Sequence, residues 1–205
     1  MKISLLDYGA GNLPSVERAL QRLGAQTERI TTSASVAKAS ALVLPGVGHF
    51  GALIRALDRD GLRESLIATI DRGVPFLGIC LGLQALFQKS DEAPDLLGLQ
   101  ILPRSVRVLG GAVKLPHMGW DQVQAKGGSR LLEGIDSSAY FYFAHSYAVP
   151  YSGEEPAVET RAICSYGGEF VAVAEKESIF AVQFHPEKSG DAGQRVLENF
   201  LRIAA

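Results

Sequence analysis

Cys80 is one of two cysteines in the sequence, and its surroundings favour a nucleophile over a core thiol. It lies at the centre of a Gly-x-Cys-x-Gly pattern at positions 78–82, directly after an apolar run. A strand that turns sharply into a helix through such a pattern forms a nucleophile elbow, because the glycines let neighbouring backbone pass and the reactive side chain projects from the turn. An isolated cysteine is more often a small buried hydrophobic residue, so this assignment requires a base nearby. Cys164 has no such context and is interpreted as strand packing.

His185 and Glu187 are the best candidates for a base and the group that orients it. They follow an apolar strand-like run, are two positions apart and flank Pro186. In an extended segment two such side chains project to the same side, and the proline disfavours a helix at His185. A carboxylate beside an imidazole fixes the tautomer and stabilises the imidazolium that forms when the imidazole takes a thiol proton. A metal site is the alternative for this pair, but no matching cluster of further ligands occurs at a recognisable spacing.

A second glycine-rich segment, at positions 46–51, has the form G-x-G-x-x-G between a strand and a helix. A dinucleotide site of this form needs an acid at the end of the next strand, and that strand ends in Cys80 instead. We therefore expect this segment to be a flexible strand end that borders the pocket of Cys80, not a dinucleotide site. The backbone N–H groups of Val47 and Gly48, together with that of Leu81 after the nucleophile, are the predicted oxyanion donors.

The periodicity of the chain predicts an α/β fold, with an open, mostly parallel sheet flanked by helices and an antiparallel extension in the second half. The first ninety residues alternate between strand and helix patterns, whereas the second half contains mainly short strand patterns separated by turns. The predicted strands are 2–6, 27–31, 41–44, 74–79, 105–109, 140–149, 170–175 and 178–184, and the predicted helices begin near 14 and span 51–59, 62–72, 81–89 and 190–203.

Composition predicts one domain over residues 1–205. The net charge of −2 offers no basic surface for nucleic acid or an anionic membrane. The N-terminal apolar run is too short for a signal peptide, and proline and glycine interrupt every long uncharged stretch. Two cysteines form no disulfide framework. We expect a cytoplasmic protein with reduced thiols that requires neither a cofactor nor a metal.

With these motifs assembled, the sequence resembles the triad-type, or class I, glutamine amidotransferases. Within that family it is similar to the glutaminase subunits of imidazole glycerol phosphate synthase. The resemblance covers the whole chain in order, and it rests on the segments at 7–12, 45–48, 78–84, 116–120, 142–147 and 184–189.

The resemblance implies an activity and the residues that carry it. Cys80 attacks the side-chain amide of L-glutamine, a glutamyl thioester forms, and water releases glutamate while His185 moves protons. The ammonia passes to a cyclase subunit, which makes imidazole glycerol phosphate and aminoimidazole carboxamide ribotide in histidine biosynthesis. The resemblance places glutamine contacts at Gln84, His145, Ser146 and Tyr147, and partner contacts at Asn12, Trp120, Tyr142 and Lys188. In such enzymes the glutaminase is weak until partner and nucleotide bind, and rearrangement of the Val47 peptide is the expected switch.

The sequence departs from the family at two positions, and three other readings stay open. Asp121 stands where an asparagine is common, and Pro103 stands where some relatives place a glutamine-contacting acid. The alternatives are a free-standing cysteine hydrolase, the glutaminase of another amidotransferase (for anthranilate or the pyridoxal cofactor), and a binding module without catalysis. The motifs at 7–12 and 116–120 and the pair Lys188-Ser189 argue against the first two, and the intact Cys80, His185 and Glu187 argue against the third.

Overall fold

A computed structural model describes residues 1–9, 12–153 and 160–205 of the chain. Helices and strands alternate through the first half, and strands predominate in the second. In chain order the elements are β1 (Lys2–Leu6), α1 (Leu13–Arg22), β2 (Gln26–Ile30), α2 (Ser33–Ala37), β3 (Leu42–Gly46), α3 (Phe50–Arg59), α4 (Arg63–Asp71), β4 (Phe76–Cys80), α5 (Leu81–Ala85), β5 (Lys89–Ser90), β6 (Ser105–Val108), β7 (His117–Gln122), β8 (Gln124–Ala125), β9 (Tyr140–His145), β10 (Tyr147–Ala148), β11 (Thr160–Ser165), β12 (Glu169–Lys176), β13 (Ile179–Val182), a 3₁₀ turn (Pro186–Lys188) and α6 (Gly190–Ile203).

The central sheet has eight strands in the order β2-β1-β3-β4-β13-β12-β11-β8. The strands from β2 to β13 pair in parallel, and those from β13 to β8 pair antiparallel. The predicted fold class is therefore confirmed. The strand pattern at 178–184 was expected only in an antiparallel pair, but β13 is antiparallel to β12 and parallel to β4. This last strand joins the two halves of the sheet and brings the end of the chain beside β4.

Two apolar layers cover the two faces of the sheet, as the pleat requires. Leu6 and Leu44 belong to one buried cluster, and Leu5 and Val43 belong to the other. Helices contribute apolar stripes at helical spacing, which in α1 and α6 consist of Leu13, Val16 and Leu20 and of Val196, Leu197 and Phe200. A fully buried side chain of this size contributes about 1.5–3 kcal/mol to the free energy of folding, so these layers hold the strand ends in fixed positions.

Helix α5 is shorter than predicted, because it ends at Ala85 and the pattern continued to residue 89. The segment that follows returns to the end of the helix and takes over its last carbonyl groups. Leu99 N donates to Ala85 O at 2.7 Å, and Leu102 N donates to Leu86 O at 2.9 Å. Carbonyl groups at a helix end need such partners, and here a tertiary contact supplies them in place of another helical turn.

Two smaller sheets accompany the central one. One has the order β10-β6-β5, and the other is the antiparallel pair β7 and β9. The sequence pattern did not predict β7, on which His117 lies opposite His145. Within the described parts of the chain, no helix has the length and apolar character needed to traverse a bilayer.

Candidate active site

Cys80 is the last residue of β4, and Leu81 begins α5 without an intervening loop. The backbone of Cys80 has φ 52° and ψ −104°, a conformation that L-residues rarely adopt and that costs about 1–3 kcal/mol. Glycine is required on both sides. A Cβ at Gly82 would lie 1.9 Å from the carbonyl oxygen of Leu44, and one at Gly78 would lie 2.7 Å from the carbonyl oxygen of Gly82. The strand–cysteine–helix turn therefore has the geometry of the predicted nucleophile elbow.

His185 and Glu187 meet in the interior just beyond β13. His185 Nδ1 lies 2.9 Å from Glu187 Oε1, and their side chains are 2% and 1% exposed. The predicted extended conformation holds at His185, where φ is −101° and ψ is 95°, but not beyond it. Pro186 opens a 3₁₀ turn, since its fixed φ suits the first position of a helical turn. The two side chains still converge, because the turn folds Glu187 back toward the imidazole.

Hydrogen bonds from a neighbouring strand hold this turn in place. His185 N donates to Tyr142 O in β9 at 2.8 Å, and Tyr142 N donates to Ser189 Oγ at 2.9 Å. The Ser189 hydroxyl in turn donates to His185 O at 2.7 Å. The backbone that carries the imidazole therefore continues from β13 and is also held by hydrogen bonds to β9. Both connections restrict the orientation of the ring.

The Cys80 thiol and the Glu187 carboxylate together stabilise the protonated form of His185. Burial alone lowers the pKa of His185, but hydrogen bonds and charge interactions with Cys80 and Glu187 outweigh it and raise that pKa to about 10. At neutral pH this arrangement favours an imidazolium beside the sulfur, the state in which a cysteine is a nucleophile.

A cavity of about 190 Å³ opens over the thiol. Every residue that the sequence analysis assigned to the oxyanion hole or to glutamine binding lines it with Cys80, namely Val47, Gly48, Leu81, Gln84, His145, Ser146 and Tyr147. The G-x-G-x-x-G segment therefore borders the thiol pocket. The structure brings these residues together from β3, β4, α5 and the β9–β10 connection.

The Val47 amide lies near the buried hydroxyl of Tyr8, but the two groups form no well-aligned hydrogen bond. Burial raises the pKa of Tyr8, the Val47 amide lowers it in part and Cys80 raises it, and the net value is about 12. Gly48, which follows, has φ +97°.

His145 is a buried neutral histidine. Its Nδ1–H donates to Tyr147 O at 2.9 Å, and its Nε2 has no hydrogen-bond partner among the described residues. Burial lowers the pKa of His145 to about 3. His117 stacks between Phe143 and Tyr166, with ring centroids 4.9 Å and 4.0 Å away, and burial lowers its pKa while Asp121 opposes this in part. Neither ring is placed as a second base.

Glu92 lines the cavity and was not identified from the sequence. Its Oε2 accepts a hydrogen bond from Phe50 N, the first amide of α3, at 2.6 Å. Pro103 stands where some relatives place a glutamine-contacting acid, and the acid at this pocket comes instead from the segment after β5. Nothing local distinguishes Glu92 from the adjacent Asp91, so only the tertiary contact could identify it.

Three of the predicted partner contacts form one cluster at the surface. Trp120 and Tyr142 are opposite each other on β7 and β9, with ring centroids 6.0 Å apart. Lys188 Nζ lies 5.6 Å from the centre of the Tyr142 ring. Trp120 is 54% exposed and its neighbour Met118 is 64% exposed. Asn12 precedes α1; residues 10 and 11 of the same motif lie outside the described residues.

Comparison with known proteins places this site in a family. The model of the family "Glutamine amidotransferase class-I" matches residues 4–204. Proteins named imidazole glycerol phosphate synthase subunit HisH are 45% identical in Methanothermobacter thermautotrophicus, over 98% of both chains, and 44% identical in Deinococcus radiodurans, over all of this chain and 94% of the relative. The HisH subunit of Aquifex aeolicus is 44% identical over all of this chain and 98% of its own length.

Solved structures share the fold at lower identity. A crystal structure of a glutamine amidotransferase superposes with a TM-score of 0.77 at 21% identity, and covers 98% of each chain. A chain of PurLQS from Thermotoga maritima superposes with a TM-score of 0.75 at 17% identity, over all of this chain and 99% of its own. The family match and the full-length relatives show that the chain belongs to the class I glutamine amidotransferases and, among them, to the HisH subunits of imidazole glycerol phosphate synthase.

Proposed function

We propose that this chain hydrolyses L-glutamine through Cys80, His185 and Glu187 and supplies the ammonia to a cyclase subunit that completes imidazole glycerol phosphate. The observation that carries the proposal is the buried arrangement of these three side chains beneath a cavity. A nucleophile, a base and an orienting carboxylate in this order form a catalytic triad.

The proposed reaction starts from the protonated imidazole of His185 beside the Cys80 sulfur. The Cys80 thiolate attacks the side-chain carbonyl carbon of glutamine, and the tetrahedral oxyanion lies near the backbone of Leu81 and Val47. His185 gives its proton to the departing nitrogen, ammonia leaves, and a thioester remains. His185 then takes a proton from water, which attacks the thioester, and the thiolate is expelled as glutamate forms. Glu187 keeps Nδ1 protonated, so that Nε2 is the nitrogen that exchanges the proton.

The cavity offers acceptors for the ammonium group of the substrate. Gln84 Nε2 donates to Tyr147 O at 2.7 Å and to Gln183 Oε1 at 3.2 Å. Both hydrogens of this amide are therefore used within the protein, and the Oε1 atom of Gln84 is what it can present to a ligand. Glu92 adds a carboxylate at the same cavity. We assign the α-ammonium group to these two residues and the α-carboxylate to the backbone at Ser146 and Tyr147.

Partner binding is assigned to the surface formed by Met118, Trp120, Tyr142 and Lys188. Exposed aromatic and methionine side chains of this kind are enriched at protein interfaces. The backbone of Tyr142 holds the turn that carries His185, so a subunit seated there contacts the support of the base directly. We infer that the partner and its nucleotide also rearrange the Val47 peptide, which borders the cavity beside Cys80. The single domain and the cytoplasmic location stay predictions.

The test is glutamate release from L-glutamine by the chain alone, with the cyclase subunit, and with the cyclase subunit plus its nucleotide substrate. We expect weak release alone and a rise of about tenfold or more in the third mixture, within the usual range of allosteric coupling. Cys80→Ala should abolish release in all three mixtures, whereas Cys164→Ala, the matched control, should not. Strong release that ignores the partner would disprove the cyclase assignment, and release that persists in Cys80→Ala would disprove the triad.

A further inference from the structure

Gln183 is a fully buried polar residue at the carboxyl end of β13, and the catalytic triad does not account for it. Strands β13 and β4 pair in parallel with Val182 opposite Ile79. The next residues along the two strands are Gln183 and Cys80, so the register places them side by side. A buried carboxamide needs partners for its oxygen and its two N–H groups, and the structure shows where two of these bonds go.

Gln183 lies between the nucleophile and a residue of the substrate cavity. Its Oε1 accepts a hydrogen bond from Gln84 Nε2 at 3.2 Å, and its Nε2 donates to Cys80 Sγ at 3.5 Å. Gln84 Nε2 also donates to Tyr147 O at 2.7 Å.

The hydrogen-bond network determines the orientation of both amides. The carbonyl of Tyr147 can only accept, so Gln84 must present its NH₂ group there. That NH₂ group then requires an oxygen from Gln183, which leaves the NH₂ group of Gln183 facing the sulfur. Reversing either amide would place two oxygens or two NH₂ groups against each other.

We propose that Gln183 is a catalytic residue whose side-chain N–H holds the Cys80 sulfur in its anionic form. The inference rests on the proposed function and deepens it. A hydrogen bond from a neutral donor to a charged acceptor is strong where water is excluded, and Gln183 has no exposed surface. The donor acts twice: it stabilises the attacking thiolate, and it stabilises the same thiolate when the thioester breaks.

Gln183 differs from His185 in keeping its proton. The imidazolium loses its charge when it protonates the leaving nitrogen, whereas the carboxamide remains a donor through both half-reactions. Gln84 acts as a positioning residue in this network, because it fixes which end of Gln183 faces the sulfur. A substrate contact on Gln84 is thereby connected to the nucleophile through a single side chain.

The test compares the pH dependence of Cys80 alkylation by iodoacetamide in the wild-type chain and in two variants. Gln183→Glu keeps the size of the side chain and an oxygen for Gln84, but replaces the donor with a carboxylate. Gln183→Met keeps the length and removes all hydrogen bonding, in a form that cores tolerate well. In both we expect the alkylation midpoint to move up by about one pH unit and the rate near neutral pH to fall about tenfold, the value of one hydrogen bond to a charged group.

Glutaminase kinetics with the cyclase and its nucleotide supply a second readout. Gln183 touches the sulfur and is not among the residues that line the cavity. We therefore expect kcat to fall about tenfold or more while KM changes little. A residue that only supported the fold would not shift the alkylation midpoint.

Two controls accompany the variants. Gln88→Glu makes the same chemical change at an exposed position after α5, and should leave the profile unchanged. Cys164 is buried, and burial raises its pKa to about 12, so its alkylation in a variant reports an opened fold. If Cys164 alkylation shows that Gln183→Glu has lost its native fold, the proposal is judged on Gln183→Met alone.

An unchanged alkylation profile in a folded Gln183→Met would overturn the proposal. The proposed function can fail independently: if the wild-type chain released no Cys80-dependent glutamate while the alkylation midpoint still shifted, the role of Gln183 would stand and the assigned substrate would be wrong.

Discussion

In the proposed mechanism, Glu187 acts on the reaction through its hydrogen bond to His185. Its Oε1 lies 2.9 Å from His185 Nδ1, and its side chain is almost completely buried. Glu187 is also one of the two groups that raise the pKa of His185 to about 10. A glutamine of the same shape would retain an oxygen for the ring but not the charge that stabilises the imidazolium.

We expect Glu187→Gln to lower kcat for glutamine hydrolysis by roughly 10²-fold, at the low end of the usual contribution of acid–base catalysis. Loss of the carboxylate lowers the pKa of His185, so the alkaline limb of the activity profile should move to lower pH. Steady-state kinetics across pH would measure both effects. Glu64→Gln, an exposed change on α4, is the control, and an unshifted alkaline limb in Glu187→Gln would contradict the assigned role.

At the scale of elements, the site depends on how closely α5 approaches β3. Gly82 lies against the backbone of Leu44, with no room for a methyl group between them. The contact is made by a carbonyl oxygen within a central parallel strand, which cannot shift without breaking the sheet. The elbow therefore relies on this approach to hold Cys80 in its strained conformation.

We expect Gly82→Ala to destabilise the fold by about 1–3 kcal/mol, the usual cost of overpacking a core, and to lower Tm by several degrees for a chain of this length. Glutaminase activity should fall as well, since a displaced α5 moves the sulfur. Thermal unfolding and activity can be measured against Gly128→Ala, where an added Cβ meets nothing within 4 Å. Equal Tm values for the two variants would show that α5 can move away from β3 without cost.

At the scale of the whole molecule, two buried neutral histidines connect stability to pH. Burial lowers the pKa of His145 to about 3 and lowers that of His117 as well. Each ring takes up a proton when the chain unfolds below its ordinary pKa near 6.5. Their contribution to stability is therefore complete above that value and is lost as the pH falls toward the folded-state pKa. His185 has a raised pKa and the opposite sign.

We expect His145 to lower the free energy of unfolding by about 2 kcal/mol between about pH 7 and pH 5, since one proton corresponds to about 1.4 kcal/mol per pH unit. His117 should add a further decrease of the same sign. Urea titrations at the two pH values would measure it. His145→Asn keeps a donor for Tyr147 O and removes the titrating ring, so its stability should fall less steeply. His185 is present in both proteins, so its contribution to the pH dependence of stability cancels when wild type and variant are compared. Parallel pH dependences for wild type and variant would refute the assignment.

Local patterns predicted most of the parallel half of the fold and singled out the three residues of the proposed triad. Strand β1 and helix α6 have the predicted bounds, and the glycines around Cys80 identified the elbow. These features depend on spacing along the chain: apolar residues repeat with the period of their element, and a sharp turn needs glycine at fixed offsets. The same local logic correctly predicted an extended His185 but not the 3₁₀ turn that begins at Pro186.

The sequence by itself determined the α/β class and the glycine-flanked elbow, and it supplied the proposed Cys–His–Glu set. The tertiary structure decided which neighbours those residues have. Parallel pairing of β13 with β4 joins positions about a hundred residues apart, and brings both Gln183 and His185 to Cys80. Glu92 reaches the cavity because its carboxylate meets the first amide of α3. Such contacts leave no local pattern, because strand order in a sheet depends on the packing of the complete core rather than on the residues of either strand alone.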